Sequence, residues 1–146
     1  MVEHTTQIRV RYAETDQMAY VYYGVYPQYY EVGRAEWLRR FGLTYRQLEE
    51  SGVIMPVAEV NMKYLRPAKY DDLLTQKTRV MEIPDKRVTF ISEIFNEEGK
   101  RLNVGRVTLA FVDAGTMRPC SAPKLLLDTI LPYFEDNEGK DTPVDQ

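Results

Sequence analysis

Asp16 stands in the stretch Tyr12-Ala13-Glu14-Thr15-Asp16-Gln17-Met18, between a strand-like run and the best helical pattern in the chain. A carboxylate at that junction has two chemical uses. Helix N-termini carry unpaired N–H groups and roughly half a positive charge, so they can hold an oxygen that turns negative during acyl transfer. One loop would then supply both a nucleophilic or basic carboxylate and the oxyanion site. The plainer use is as a cap or turn residue that accepts backbone N–H bonds. Residue type alone leaves both open.

The rest of the inventory narrows the chemistry. His4 is the only histidine and Cys120 the only cysteine among 146 residues, which excludes a Cys/His zinc set and an internal disulfide. No metal is expected. A Ser-His-Asp or Cys-His device would have to recruit His4, in a terminal segment expected to be poorly ordered. In a metal-free enzyme a carboxylate is left as the reacting group. A formal net charge of -3 argues against a nucleic-acid or anionic-membrane surface. No run approaches the ~20 apolar residues of a membrane span, and the first residues lack a basic cluster followed by an apolar stretch. A soluble, cytoplasmic protein is expected.

The elements that must position Asp16 can be read from periodicity. Residues 7–12 alternate polar and apolar, so a strand with Ile8, Val10 and Tyr12 pointing inward is expected. Across residues 27–41 the pattern becomes helical, with Tyr26, Tyr30, Gly33, Trp37 and Phe41 on one stripe. Pro27 suits the first turn, Gly42 the C-terminal cap, and Glu36 with Arg40 an i,i+4 pair. Gly33 in mid-helix costs about 1 kcal/mol relative to Ala, and a closely approaching strand would explain it. The spacing of Thr44 and Gln47 is that of a capping box, opening a short helix that ends at Gly52.

Residues 53–65, 73–83, 87–96 and 101–112 are β-like and broken by Arg66-Pro67, Pro84-Asp85 and Glu98-Gly99, so they could meander antiparallel. A last helix is expected over residues 121–134 with Ser121 as cap, followed by a polar tail over 135–146. One domain, residues 1–134, accounts for the length.

The element order and the run Arg9-Val10-Arg11-Tyr12-Ala13-Glu14-Thr15-Asp16-Gln17-Met18 through Tyr26, continued by Tyr30-Glu31-Val32-Gly33-Arg34 and by Val60 to Ala68, resemble the hotdog fold. Within it the chain is similar to the 4-hydroxybenzoyl-CoA thioesterase-like acyl-CoA thioesterases, over about residues 7 to 131. The resemblance implies an α+β fold: a long central helix on an antiparallel sheet of five or six strands, with a short C-terminal helix.

It also implies hydrolysis of an acyl-CoA or acyl-carrier-protein thioester without a cofactor. Asp16 is then the catalytic carboxylate and the Tyr23 backbone N–H the oxyanion donor. Two positions depart from the family pattern, Tyr23 standing where a His is common and Val25 where an Asn is. A backbone donor survives the first change; the polarity of the pocket does not. A helix Glu serves in another branch, but the His-Gly-Gly sequence that accompanies it is missing here, which ranks Glu31 and Glu36 below Asp16.

Seven of the 11 tyrosines fall between residues 12 and 30, as core or as walls of an acyl pocket. Tyr20 and Tyr22 are the loop positions expected on the substrate side, with Tyr26 beside them. Arg66, Lys86 and Arg87 sit in expected turns where they could meet coenzyme A phosphates. Such sites lie between two subunits, so a homodimer or homotetramer is implied. The rivals are an acyl-thioester-binding module that does not cut its ligand and a structural dimer with no ligand.

Overall fold

A computed structural model describes residues 1–136. Strand β1 (Val2–Arg9) starts earlier and ends earlier than the 7–12 alternation suggests. All eight of its residues pair antiparallel with β4 (Leu73–Val80), from Val2 opposite Val80 to Arg9 opposite Leu73. His4 is therefore in a paired strand, opposite Thr78, rather than in a loose end. After Arg9 the chain leaves the sheet and Val10 is held by the 71–72 turn, its N–H 2.9 Å from the Asp72 carbonyl. The next residues wind into a 3-10 turn, Tyr12–Glu14. Ile8 and Val10 pack inward as expected, but Tyr12 is on the outside of that turn and 78% exposed.

The main sheet has five antiparallel strands in the order β1-β4-β5-β6-β3, with β3 (Val57–Tyr64), β5 (Arg87–Phe95) and β6 (Arg101–Ala110). Strands β4, β5 and β6 form the expected meander. β3 does not join it at β4: Leu65 N–H and Arg66 N–H both donate to the Leu102 carbonyl, which fixes the end of β3 against β6 and makes it the far edge. The expected 53–65 strand is also split at Met55-Pro56. Its first part, β2 (Val53–Ile54), pairs with β7 (Val112–Asp113) in a separate ribbon.

Helix α1 (Tyr26–Arg40) lies across one face of the sheet. Tyr26, Tyr30, Gly33 and Trp37 of the stripe are buried, joined by Tyr29 and Leu38, while Phe41 is half-buried. Gly33 has the reason expected of it: a Cβ there would sit 2.6 Å from both Gln76 Nε2 and Thr78 Oγ1 of β4. Strand β6 makes the same allowance on the other side, since a Cβ at Gly105 would collide with the hydroxyl end of the Tyr30 ring. Glu36 pairs with Arg39 instead of Arg40, because Arg40 is drawn to the Glu3 carbonyl on β1.

Helix α2 (Tyr45–Glu50) has its capping box, Gln47 N–H to Thr44 Oγ1 at 3.1 Å and Thr44 N–H to Gln47 Oε1 at 2.9 Å. Helix α3 (Lys124–Asp136) begins after Ser121, whose hydroxyl takes Lys86 Nζ at 2.9 Å instead of capping. Residues 137–146 of the expected tail lie outside the described residues. No described helix is long and apolar enough to cross a membrane.

If α1 depends on this close seat, Gly105→Ala displaces Tyr30 and breaks its hydroxyl bond to Asn103. Overpacking together with a lost buried hydrogen bond should remove about 3 kcal/mol, read as a lower urea midpoint with an unchanged slope.

Candidate active site

The segment between β1 and α1 is a small hairpin. Thr15 bridges Val21, Asp16 N–H donates to the Tyr20 carbonyl at 2.8 Å, and Tyr22 N–H donates to the Glu14 carbonyl at 2.9 Å. The returning arm is fixed to the 68–69 turn, with Val21 N–H 2.9 Å from the Ala68 carbonyl and Tyr20 bridging Lys69. At the tip Ala19 takes a positive φ of 62°, which lets the chain reverse within four residues.

Asp16 does the plainer of its two jobs here with one oxygen. Its Oδ1 accepts the Met18 N–H at 2.9 Å and lies 3.4 Å from the Tyr20 N–H. Its Oδ2 accepts from no donor among the described residues, and the side chain is half-buried at the protein surface. One oxygen holds the turn and the other is unengaged by the described residues.

The returning arm runs straight into the helix. A 3-10 turn, Tyr23–Val25, closes through Val25 N–H to the Tyr22 carbonyl at 2.9 Å, and Tyr26 then takes α-helical angles. The Tyr23 and Gly24 amides open that turn and meet no acceptor among the described residues, as the first donors of a helix must. Tyr64 of β3 donates its hydroxyl to the Tyr23 carbonyl at 3.0 Å, orienting the peptide that carries the Gly24 N–H. Along the hairpin Asp16 and Tyr23 are about three strand residues, ~10 Å, apart.

The aromatic residues divide into two groups. Tyr22 and Tyr23 are exposed, with ring centroids 4.6 Å apart, and Tyr20 is half-buried beside Lys69. Tyr26 is buried, edge-on to Tyr64 at 5.5 Å and to Tyr29 at 5.8 Å. The neighbouring Tyr23 hydroxyl pushes the Tyr22 phenol above its usual pKa, and burial does the same for Tyr26 and Tyr64. Burial drives Tyr29 and Tyr30 further up. These phenols stay neutral.

The three expected phosphate cations do not meet within one chain. Arg66 lines an open groove of about 530 Å³ with Lys69, Lys100 and the acidic Asp72, Glu97 and Glu98, at the same end of the sheet as the Asp16 hairpin. Arg87 pairs with Ala110 at the opposite end, and Lys86 is tied to Ser121 there. The eight steps along β6 from Leu102 to Ala110 put ~27 Å between the two ends. His4 is likewise remote, five residues or ~17 Å along β1 from Arg9. Glu31 is exposed on α1, and Glu36 is engaged by Arg39.

Three residues that sequence reasoning did not single out shape this site: Glu14, Tyr29 and Tyr64. The buried Glu14 carboxylate takes the Arg11 N–H at 2.8 Å and the Tyr29 hydroxyl at 3.0 Å, both on Oε1. The only local signal for it was its i,i+3 spacing from Arg11. Tyr64 reaches Tyr23 from 41 residues away in sequence, a contact no local pattern encodes.

Comparison with known proteins agrees with this fold. The Thioesterase-like superfamily matches residues 10–130. The acyl-CoA thioester hydrolase YbgC of Escherichia coli is 31% identical over 120 residues, covering 82% of this chain and 90% of its own length. The acyl-CoA thioesterase YbgC of Haemophilus influenzae is 33% identical over 118 residues, covering 80% and 86%. Among solved structures, a DHNA-CoA thioesterase from Staphylococcus aureus superposes with a TM-score of 0.79 at 31% identity, covering 96% of this chain and 91% of that one. With a long helix seated on a five-stranded antiparallel sheet and a match spanning the whole hairpin and both layers, the chain belongs to the thioesterase-like superfamily of hotdog-fold enzymes.

Proposed function

We propose that this chain hydrolyses an acyl-CoA thioester to a carboxylic acid and free coenzyme A, with Asp16 as nucleophile or general base and the Tyr23 N–H as oxyanion donor. One observation carries the reading: a carboxylate oxygen without a partner and two helix-opening amides without acceptors belong to the same hairpin. The thioester carbonyl lies over the start of α1, its oxygen taking the Tyr23 amide. Removing such a donor costs about 3–4 kcal/mol of transition-state stabilisation in other acyl-transfer sites.

Two routes fit. As a base, Asp16 takes a proton from water, the new C–O bond forms, the C–S bond breaks and the thiolate recovers a proton. As a nucleophile, its oxygen forms a mixed anhydride as the thiolate leaves, and water then splits the anhydride.

A second copy of the chain completes the site in this proposal. β3 is an eight-residue edge strand left largely exposed, and Val57, Val60 and Tyr64 on it are 52%, 42% and 48% exposed. Antiparallel pairing of β3 with its copy would bury that strip and turn the partner end for end. The Lys86 and Arg87 end of one copy then approaches the Arg66 and Asp16 end of the other, which closes the ~27 Å gap seen within one chain.

Asp16→Asn keeps an Oδ1 that can accept the Met18 and Tyr20 amides, so the turn and the melting temperature should hold. Thiol release from acyl-CoAs, followed with a colour reagent, should fall by about 10²–10⁴. Full hydrolysis by the variant would remove Asp16 from the chemistry. Tight acyl-CoA binding by the wild type without thiol release would mark a binding module instead. Val60→Asp should give a monomer by light scattering and lose more than about 90% of hydrolysis, because an unpaired charge on the strip opposes its burial. A fully active monomer would put the whole site in one chain.

A further inference from the structure

Glu14 is 9% exposed, and its carboxylate is the most heavily bonded acidic group in the hairpin. Oε1 accepts the Arg11 N–H at 2.8 Å and the Tyr29 hydroxyl at 3.0 Å, and Oε2 accepts Arg11 Nε at 3.3 Å. Its backbone carbonyl accepts the Tyr22 N–H at 2.9 Å. These bonds come from three separate segments: the chain leaving β1, the first turns of α1, and the returning arm of the hairpin. Asp16 is two residues beyond Glu14, and Tyr23 is the residue after Tyr22. The carboxylate therefore stands where the two arms of the hairpin and the helix are joined.

The Arg11 side chain contributes little to this, since it is 73% exposed and its ion pair is screened by water. The buried bonds to the Arg11 amide and the Tyr29 hydroxyl do the joining. The other hydrogen bonds of the outgoing arm, which carries Asp16, reach the returning arm and the 71–72 turn, not the helix. Without the Glu14–Tyr29 bond the outgoing arm is tied to α1 only through the returning arm, and Asp16 is free to shift relative to the helix amides.

We propose that Glu14, through Tyr29, is a positioning residue that sets the spacing between the Asp16 carboxylate and the amides at the start of α1. This rests on the hydrolytic reading above. A displacement of about 1 Å in a reacting group can cost on the order of 10² in rate, so the effect belongs in kcat rather than in substrate affinity. Tyr29 acts here by its hydroxyl alone, because its ring is core packing that a Phe would reproduce.

The experiment is steady-state hydrolysis of one acyl-CoA by the purified wild type and by Asp16→Asn, Tyr29→Phe, Glu14→Gln, Glu14→Ala and Glu14→Ala/Tyr29→Phe, with melting temperatures in parallel. Tyr29→Phe should lower kcat by about 10-fold or more at a KM within about twofold. Glu14→Gln keeps an oxygen for both buried donors and should stay within about threefold of wild type, whereas Glu14→Ala should fall about as far as Tyr29→Phe or further. The double variant should be no slower than Glu14→Ala, because the two residues act as one unit.

Tyr29→Phe with a wild-type kcat overturns the inference, whatever its melting temperature, and so does a double variant whose losses multiply. If Glu14→Ala fails to fold, Tyr29→Phe and Glu14→Gln decide. A wild type that releases no thiol overturns the hydrolytic reading, and this inference with it. Activity that Asp16→Asn abolishes and Tyr29→Phe leaves intact overturns this inference alone.

Discussion

The seat of α1 on the sheet governs everything else in this molecule. The register of β4, β5 and β6 puts Thr78, Ser92 and Gly105 in one row beneath the helix, and Gln76, Ile94 and Asn103 in the next. The first row is made of small residues, so the helix can come close, with Gly33 facing Thr78 and the Tyr30 ring lying over Gly105. The second row holds the helix at one azimuth: Gln76 Nε2 donates to the Tyr29 carbonyl at 2.8 Å, and the Tyr30 hydroxyl donates to Asn103. Apolar packing alone has no preferred rotation, whereas these bonds do. The two rows together leave Gln76 Oε1, Thr78 Oγ1 and Asn103 Nδ2 without partners among the described residues, at about 1–3 kcal/mol for each such atom. Specific placement of the helix is obtained at a cost in stability.

That placement passes directly to the site. Tyr29 uses its carbonyl to accept from Gln76 of the sheet and its hydroxyl to donate to Glu14 of the hairpin. A single helix residue thus links the β4 register to the loop that carries Asp16. Further along the helix Trp37 donates its indole N–H to the Val2 carbonyl at 3.1 Å, pinning the C-terminal half to the start of β1. With both halves tied, the open amides at the N-terminus have a fixed direction. An oxyanion donor needs that property, because reorganisation during the reaction would cancel the gain.

The sequence made legible what local periodicity encodes. The helical stripe from Tyr26 to Trp37, the reason for Gly33, the Thr44 capping box and the β4–β6 meander all came from spacing and turn chemistry. Three things did not. Gln7 to Tyr12 alternates, but the alternation stops meaning sheet at Arg9, because Glu14 captures the Arg11 amide and winds the chain into a 3-10 turn. The position of β3 depends on two amides sharing the Leu102 carbonyl, a contact across 36 or 37 residues. The separation of Arg66 from Lys86 and Arg87 follows from strand direction, which turn composition does not report. At the candidate site, Asp16 could be found by its place before a helix, but the bonds from Tyr64 to Tyr23 and from Tyr29 to Glu14 could not.

The shortage of histidine is consistent with this chemistry once the leaving group is considered. A thiolate departs without needing a strong acid at the sulfur, so the site must mainly supply a group that attacks or activates water and a place for negative charge on oxygen. The phenols cannot fill the first role, because burial and mutual contact hold Tyr22, Tyr26, Tyr29, Tyr30 and Tyr64 in their neutral forms. The Glu14 carboxylate cannot fill it either, since both of its oxygens already accept bonds from Arg11 or Tyr29. Of the two carboxylates on the hairpin, only that of Asp16 has an oxygen without a partner among the described residues, ~10 Å along the hairpin from amides that also lack one. In the proposed mechanism the division of labour between the two acids, one holding and one reacting, follows from how many donors the fold aims at each.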